Sequence, residues 1–376
     1  MKMGLEAKWL FRGPPSGRRV VRSLIRGLAR VAPDDELHLF LDARDRGEAL
    51  PVALPDERCH YVWAGNNQLA NLLVVPRAAD RARLDAVVYQ NFVPPRGGAR
   101  HARLAFVHDV IFDSHPAFFT RRERLYFSTL RYLTARADRV CTVSNTERDR
   151  LVRLRYARAD RVDVVPNSVD ERFAPRDRLP RASTDAILER LAVPATFALY
   201  AGRLNVRKNV AAVVRAIALV RAPDLPLLIA GAEDATSIEL TRIAAEAGVA
   251  HRVRLLGPVS DDELRVLYAA ATVYCFASFD EGFGLGPLEA MASGTPAIVS
   301  DLPVMVETCG DAAVYVDPSD PAAIATAIDG LVNDSARRAT LRAAGLARAA
   351  TFSEQCAARR LLRSVQAAIR QLSPAA

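Results

Sequence analysis

The sequence has no cysteine pairs and no long apolar runs. Its five cysteines are widely spaced and form no C-x-x-C pair, which argues against a disulfide framework or a zinc site. No stretch approaches the roughly 18 to 20 apolar residues that a membrane-spanning helix needs. The first twenty residues carry charges throughout and lack the apolar core of a signal peptide. We therefore expect a cytoplasmic protein in a reducing setting.

Lysine is also scarce. Of 51 basic residues only Lys2, Lys8 and Lys208 are lysines, so a lysine at 208 is an unlikely accident. Residues 1–170 contain 29 basic and 20 acidic residues, a net charge of +9, whereas the remainder is close to neutral. The basic residues are scattered among acidic ones and no nucleic-acid motif is present, so no nucleic-acid partner is expected. An anionic membrane surface or a lipid diphosphate suits this half, and a merely soluble basic surface is the alternative.

Apolar runs alternate with helical patterns along the whole chain, which predicts parallel sheets covered on both faces. With 376 residues, half of them apolar, two or three domains are expected. The pattern predicts an α/β protein with a first domain over 1–170, a linker over 171–194, a second domain over 195–352 and a last helix over 353–376. Strands are expected at 3–10, 36–41, 86–90, 103–107, 139–143 and 162–165, and then at 196–202, 225–231, 252–257, 272–276 and 312–318.

The most distinctive stretch runs from Tyr274 to Asp301. An apolar strand leads into a loop with three glycines in five residues (Gly282, Gly284 and Gly286), and Pro287 then opens a helix. The amides of Phe283, Gly284 and Leu285 would lie at the positive end of that helix, where a phosphate or a sugar hydroxyl can bind. Glu281 in the loop and Glu289 on the first turn bracket this point, although a glycine loop alone is usually only a turn.

A second pattern follows the predicted strand 196–202. Gly202-Arg203-Leu204 ends the strand, and Arg207-Lys208-Asn209 opens a helix. Arg203 and Lys208 can converge on a diphosphate through charge-assisted hydrogen bonds.

Together these strings resemble the E-x7-E and G-R…K-N motifs of the retaining glycosyltransferases of family 4. The resemblance implies the GT-B fold, in which two Rossmann-like domains face each other across a cleft that holds a nucleotide sugar. It further implies that Gly202, Arg203 and Lys208 bind the donor diphosphate, that Glu281, Gly282 and the amides of 283–285 hold the sugar, and that Glu289 binds the ribose. Many relatives have proline where this chain has Gly286.

The first half carries weaker signals. Gly13 and Gly17 follow the first strand with a G-x3-G spacing, which disfavours a dinucleotide-binding dehydrogenase. The resemblance implies that this loop lies against the donor diphosphate and the acceptor. His108-Asp109 resembles the H-D pair of mannosyltransferase-like members, which implies contact with the donor sugar or the acceptor hydroxyl and favours GDP-mannose as the donor. Ser144 reads as a helix N-cap. A helix over 118–136 has a basic face, and is either membrane-binding or an ordinary surface helix.

Neither a D-x-D triplet nor a histidine cluster of ligand spacing is present, so no metal and no other cofactor is expected. The predicted function is metal-independent hexosyl transfer to a saccharide or lipid-linked acceptor in polysaccharide or glycolipid synthesis. Two alternatives remain open: a non-hydrolysing sugar-nucleotide epimerase on the same fold, and a non-catalytic module that binds a nucleotide sugar or a lipid.

Overall fold

The computed structural model describes residues 1–63, 67–95, 100–222, 224–232 and 235–372. The chain divides into two compact units. Unit 1 consists of Met1–Ser168 together with Phe352–Ala376, and unit 2 consists of Val169–Thr351.

The described residues of unit 1 contain one parallel seven-stranded sheet in the order β3-β2-β1-β4-β5-β6-β7. Apolar side chains such as Phe40, Tyr89 and Phe92 are fully buried in its core. The sequence analysis missed β3, which is short, polar and only partly buried, and therefore lacks a clear apolar run. The strands are β1 Lys2–Glu6, β2 Glu36–Asp42, β3 Cys59–Val62, β4 Ala86–Gln90, β5 Ala102–Val107, β6 Arg139–Thr142 and β7 Val162–Val164.

Two expectations for unit 1, a strand over 3–10 and a single helix over 118–136, were wrong. The first strand ends at Glu6, and a short helix follows it before the glycine loop. The segment 118–136 is not one helix but two, which are separated at Ser128 and Thr129. The helices are α1 Trp9–Arg12, α2 Pro15–Val31, α3 Asn67–Leu69, α4 Val75–Arg81, α5 Ile111–Ser114, α6 Arg121–Phe127, α7 Leu130–Thr134 and α8 Asn145–Arg153, with a π-helical stretch at Ala70–Val74 between α3 and α4.

Unit 2 has a parallel six-stranded sheet in the order β10-β9-β8-β11-β12-β13. Residues 171–194, interpreted from sequence as a linker, include a helix that packs within unit 2; its weak amphipathicity hid it. The strands are β8 Ala198–Ala201, β9 Leu227–Ala230, β10 Val253–Gly257, β11 Val273–Phe276, β12 Ala297–Ser300 and β13 Ala313–Val316, and the helices are α9 Arg181–Arg190, α10 Val210–Leu219, α11 Ala235–Glu246, α12 Asp261–Ala270, α13 Leu285–Ala292, α14 Pro303–Cys309, α15 Pro321–Val332 and α16 Ser335–Ala350.

The last helix, α17 (Glu354–Leu372), belongs to unit 1 and packs against α2. A Cβ atom on Gly27 would lie 2.4 Å from the carbonyl oxygen of Glu354, so only glycine permits this approach. The buried carboxylate of Glu354 lies 3.3 Å from the guanidinium of Arg30. The C-terminal helix is therefore part of the first unit's own packing.

Both sheets have the strand order of doubly wound folds. In each, the order reverses between two neighbouring strands, β1 and β4 in unit 1 and β8 and β11 in unit 2. Ligands of such sheets bind beyond the carboxyl ends of the strands at this reversal. In unit 2 the two motifs singled out from the sequence follow β8 and β11, and in unit 1 His108 follows β5, the neighbour of β4.

Candidate functional site

The loop after β11 turns sharply into helix α13. Gly284 caps the helix with a left-handed φ of 95°, and a Cβ atom there would lie 2.3 Å from the terminal methyl carbon of Met305. The helix begins at Leu285 and not at Pro287, because the left-handed Gly284 is its N-cap residue. Glu289 consequently lies on the second turn, where it is only 1% exposed. Its expected position on the first turn was wrong.

Gly286, where many relatives of the resembled family have proline, lies on the first turn of α13. A Cβ atom there would lie 2.6 Å from the hydroxyl oxygen of Tyr274, which donates a hydrogen bond to the carbonyl of Ala201 at 3.0 Å. The hydroxyl of this buried tyrosine occupies the space that a larger residue would need. The glycine therefore matches the tyrosine and does not loosen the loop.

The loop after β8 contains a single 3-10 turn over Val206–Lys208, and its conformation is fixed on both sides. The side chain of Asn205 caps it by accepting from the amide of Lys208 at 3.1 Å. Asn209 follows in the left-handed region, with φ of 51°. Its side-chain nitrogen Nδ2 donates to the carbonyl oxygens of Ala277 and Pro318. These bonds tie the β8 loop to the ends of β11 and β13.

Three charged side chains meet between these two loops. Glu281 Oε1 lies 2.5 Å from Lys208 Nζ, and Glu281 Oε2 lies 2.8 Å from Arg207 Nη1. Arg207 also donates to the carbonyl of Asp280 at 2.6 Å. Burial would raise the pKa of Glu281, but the two neighbouring cations outweigh it and lower that pKa to about 2. Glu281 is thus an anion at all physiological pH values and a very weak base.

The remaining donor residues expected in unit 2 are placed separately. Gly202 follows β8 with a φ of 152°, and Arg203 is exposed. Within the described residues no ion pair joins Arg203 to Glu281, which pairs with Arg207 and Lys208. Phe283 and Leu285 are nearly buried, and the Phe283 carbonyl accepts from Thr308 at 2.7 Å. Arg207, and not Arg203, is therefore the arginine that joins Lys208 at Glu281.

In unit 1 the expected glycine loop is more helical than the spacing suggested. Gly13 ends α1, and Gly17 lies in the first turn of α2, which begins at Pro15. A Cβ atom on Gly13 would lie 2.5 Å from the Cβ of Trp9, and one on Gly17 would lie 3.0 Å from the Trp9 ring. Both glycines give room to Trp9, and their role toward a diphosphate stays a prediction.

His108 and Asp109 begin a short loop after β5. The Nε2 atom of His108 lies 2.7 Å from Oε1 of Gln90, and its ring lies 5.3 Å from that of Trp9. Burial lowers the pKa of His108 to about 4, so the imidazole is neutral near pH 7. Asp109 accepts from the amide of Ile111 at 3.4 Å, which gives it a role in shaping this loop.

Buried side chains on neighbouring elements hold the His108 loop from behind. Thr142 donates to the carbonyl of Val107 at 2.9 Å, and Glu147 Oε1 accepts from the amide of Val110 at 2.8 Å. Ser144 caps α8 by accepting from the amide of Glu147, which confirms its expected role. The loop is consequently fixed by β6 and α8.

Over the residues that the structure describes, no group of three or more histidine, cysteine, aspartate or glutamate side chains could hold a metal ion. Over the same residues, no helix combines the length and apolarity needed to cross a lipid bilayer.

Comparison with known proteins decides the family. The model for glycosyl transferases group 1 matches residues 189–348, and the model for Glycosyltransferase Family 4 matches residues 17–173. The chain is 30% identical over 254 residues to the O-antigen chain mannosyltransferase B of Escherichia coli, a match that covers 66% of each chain. The chain belongs to glycosyltransferase family 4.

Other members are similar over shorter stretches. The D-inositol 3-phosphate glycosyltransferase of Mycobacterium sp. (strain KMS) is 35% identical over 225 residues, which cover 58% of this chain and 49% of that one. The present chain thus spans from about half to about two thirds of the length of these curated relatives. An Anabaena protein, HepE, whose structure contains UDP and glucose, superposes with a TM-score of 0.74 at 17% identity over 98% of this chain and all of that one. The fold is GT-B.

Two residues that contact the expected site residues were not predicted from the sequence. Arg207 was quoted within its motif but given no role, and its adjacency to Lys208 was the available signal. Gln90 ends a strand that was correctly located, yet nothing in the local sequence shows that its amide reaches His108.

Proposed function

We propose that the protein is a retaining glycosyltransferase that moves a hexose from a nucleotide sugar to a saccharide or lipid-linked acceptor. The observation that carries this proposal is the group formed by Arg207, Lys208 and Glu281 at the carboxyl edge of the unit 2 sheet. Within this group two cations face one carboxylate, so the three side chains together carry a net charge of +1. A diphosphate is attracted to such a charge and to helix amides.

The geometry favours a defined division of roles. Lys208 and Arg207 offset the charge that develops on the departing diphosphate, together with the amides of Gly284 and Leu285. Glu281, which stays ionised, accepts hydrogen bonds from sugar hydroxyls. With a pKa of about 2 and both carboxylate oxygens held by cations, it is a poor general base. In line with the resemblance to retaining family 4 enzymes, we propose that transfer proceeds on the front face, that the departing phosphate helps to deprotonate the acceptor, and that no metal ion takes part.

The donor that we propose is GDP-mannose, in line with the mannosyltransferase of E. coli and with the His108-Asp109 pair. A thermal-shift screen with GDP, UDP, ADP and dTDP, and with their sugars, ranks the candidates because a ligand that binds the folded state raises Tm. We expect a shift with GDP and GDP-mannose that a chelator leaves unchanged. No shift with any nucleotide would contradict the proposal.

Substitution of Lys208 separates catalysis from binding. Lys208→Ala is expected to lower kcat more than it weakens donor binding, because the developing charge is largest in the transition state. Lys2→Ala is the matched control, since Lys2 is a half-exposed lysine of unit 1 paired with Glu36. Equal losses of turnover and donor affinity in Lys208→Ala would refute the transition-state role. Isotope exchange in the donor without any acceptor would instead favour the epimerase alternative.

The acceptor is proposed to be carried on an anionic membrane. Several large apolar side chains of unit 1 are exposed, and Gln68 joins two of the segments that carry them by donating to the carbonyl of Tyr126. Helix α6 adds exposed arginines. The exposed apolar residues are Trp63, Leu69, Leu73, Val74, Leu125, Tyr126 and Tyr132, and the arginines are Arg121, Arg122 and Arg124. Apolar groups rimmed by cations are typical of surfaces that bind anionic lipids.

Sedimentation with vesicles tests this surface. We expect binding to phosphatidylglycerol vesicles, little binding to phosphatidylcholine vesicles, and a loss of binding in Leu125→Ser. Ile238→Ser is the control, because Ile238 of unit 2 is 76% exposed and Leu125 is 75% exposed. Equal binding of both variants would show that this surface is not the contact.

A further inference from the structure

Gln90 ends β4 and reaches the neighbouring strand end. Its side chain is fully buried, and its Oε1 atom lies 2.7 Å from Nε2 of His108. With its oxygen toward the ring, the Gln90 amide can only accept, which places the proton of the neutral imidazole on Nε2; the Gln90 Nε2 atom is buried and has no partner among the described residues. The Nδ1 atom then carries the lone pair, and within the described residues it has no hydrogen-bond partner.

A buried polar cluster fixes the backbone of Gln90. Its amide donates to Glu6 Oε2 at 3.2 Å, and its carbonyl accepts from Asn71 Nδ2 at 3.3 Å. Lys8 Nζ in turn donates to Asn71 Oδ1 at 2.5 Å and lies 3.7 Å from Glu6 Oε1. Glu6, Lys8 and Asn71 are almost completely buried. Burying an ammonium and a carboxylate is costly, and the satisfied cluster gives a rigid support for Gln90 in return.

Aromatic rings confine the imidazole. The His108 ring lies 5.3 Å from the Trp9 ring and 5.0 Å from the Phe106 ring, measured between centroids. The ring therefore cannot turn freely, and the amide of Gln90 selects its tautomer. Because burial lowers its pKa to about 4, His108 stays neutral at physiological pH and keeps its free lone pair.

We propose that Gln90 is a positioning residue that holds His108 in its Nε2–H tautomer and leaves Nδ1 to accept a hydrogen bond from a hydroxyl group of the sugar substrate. This inference rests on the proposed glycosyltransferase function. It assigns Gln90 no contact with the substrate. Its effect on the reaction passes through the orientation and charge of His108.

The tautomer can be measured without turnover. Nitrogen-15 spectra of the full chain, labelled at its six histidines, distinguish Nε2–H from Nδ1–H imidazole, and a His108→Gln variant assigns the signal. We expect the Nε2–H form at pH 7. An Nδ1–H signal for His108 would overturn the proposal.

Trp9 supplies a second readout, because a protonated imidazole quenches the fluorescence of an adjacent indole. In a Trp63→Phe background Trp9 is the only tryptophan, and its emission reports the protonation of His108. The midpoint is expected near pH 4 for Gln90 and at least one pH unit higher for Gln90→Glu, since a carboxylate stabilises the imidazolium. Gln366→Glu, on the exposed face of α17, is the control and should leave the midpoint unchanged. Circular dichroism at each pH shows that the fold persists.

Turnover then tests the positioning role. In Gln90→Glu the acid limb of kcat/KM should move to higher pH together with the Trp9 midpoint, and Gln90→Met should lower kcat/KM at least tenfold at every pH. A raised midpoint with an unchanged pH profile would overturn the role of Gln90 in the reaction. If the unsubstituted protein transfers no sugar from any donor, the proposed function fails, whereas the spectroscopic results still decide the tautomer.

Discussion

Replacing Glu281 by glutamine tests the charged group of unit 2 most directly. Glu281 is 6% exposed, and its pKa falls from an ordinary 4.5 to about 2 because Arg207 and Lys208 favour the anion more than burial opposes it. A pKa difference of roughly 2.5 units corresponds to about 3 kcal/mol of folding free energy. Glutamine keeps the size and one acceptor oxygen but removes the negative charge that faces Arg207 and Lys208, whose side chains are each only 14% exposed. We expect Glu281→Gln to destabilise unit 2 by about 3 kcal/mol.

The sign of the pH dependence follows from the same shift. The pKa of Glu281 is lower in the folded state than in the unfolded state, so its contribution is fully present above about pH 4.5. It is lost as the pH falls toward about 2. The protein with Glu281 should therefore lose stability steeply over this window, and the Glu281→Gln variant should lose correspondingly less.

Hydrogen exchange in urea, read on peptides from β8 to β12, measures the unfolding of unit 2 by itself. Glu246→Gln is the control, because Glu246 pairs with Arg242 on the surface of α11 and both side chains are about 60% exposed. Such an exposed pair is worth at most about 0.5 kcal/mol. If Glu281→Gln cost no more than this control, or kept the full acid dependence, the assignment of Glu281 as a buried stabilised anion would be refuted.

Two further predictions concern packing and acid stability. Gly286→Ala should destabilise the fold by about 1 to 3 kcal/mol, because its Cβ atom would lie 2.6 Å from the Tyr274 hydroxyl oxygen. In a Tyr274→Phe background most of that cost should vanish. Additive losses in this double-mutant cycle, measured by urea unfolding, would contradict the steric explanation. The Nδ1 atom of His38 lies 3.0 Å from the Nε2 atom of His60, and burial lowers the pKa of both side chains. The stability that they confer is therefore present above about pH 6.5 and is lost as the pH falls. The emission of the two tryptophans of unit 1 follows its thermal unfolding. Between pH 7.5 and 5.5 the Tm of His60→Gln should fall less than that of the unsubstituted protein. An equal fall would refute the role of the pair.

Much of the fold was predictable because it depends on local patterns. The strand Ala86–Gln90 was located to the residue, since it begins and ends at a sharp change of polarity. The short strand Cys59–Val62 was missed because its residues are polar and only partly buried. The single helix expected over 118–136 is two helices in the structure. The expectation failed because apolar spacing does not register the break at Ser128 and Thr129.

The sequence by itself determined the family and the candidate loops, because glycine spacing, two glutamates and a rare lysine are local signals. Only the tertiary structure decided which charges meet. Arg207 and Lys208 are 73 or more residues from Glu281 along the chain, and it is the pairing of β8 with β11 that brings their loops together. The contact between Gln90 and His108 likewise depends on the parallel pairing of β4 with β5. Side-chain partners across neighbouring strands are set by strand order, which no local pattern records.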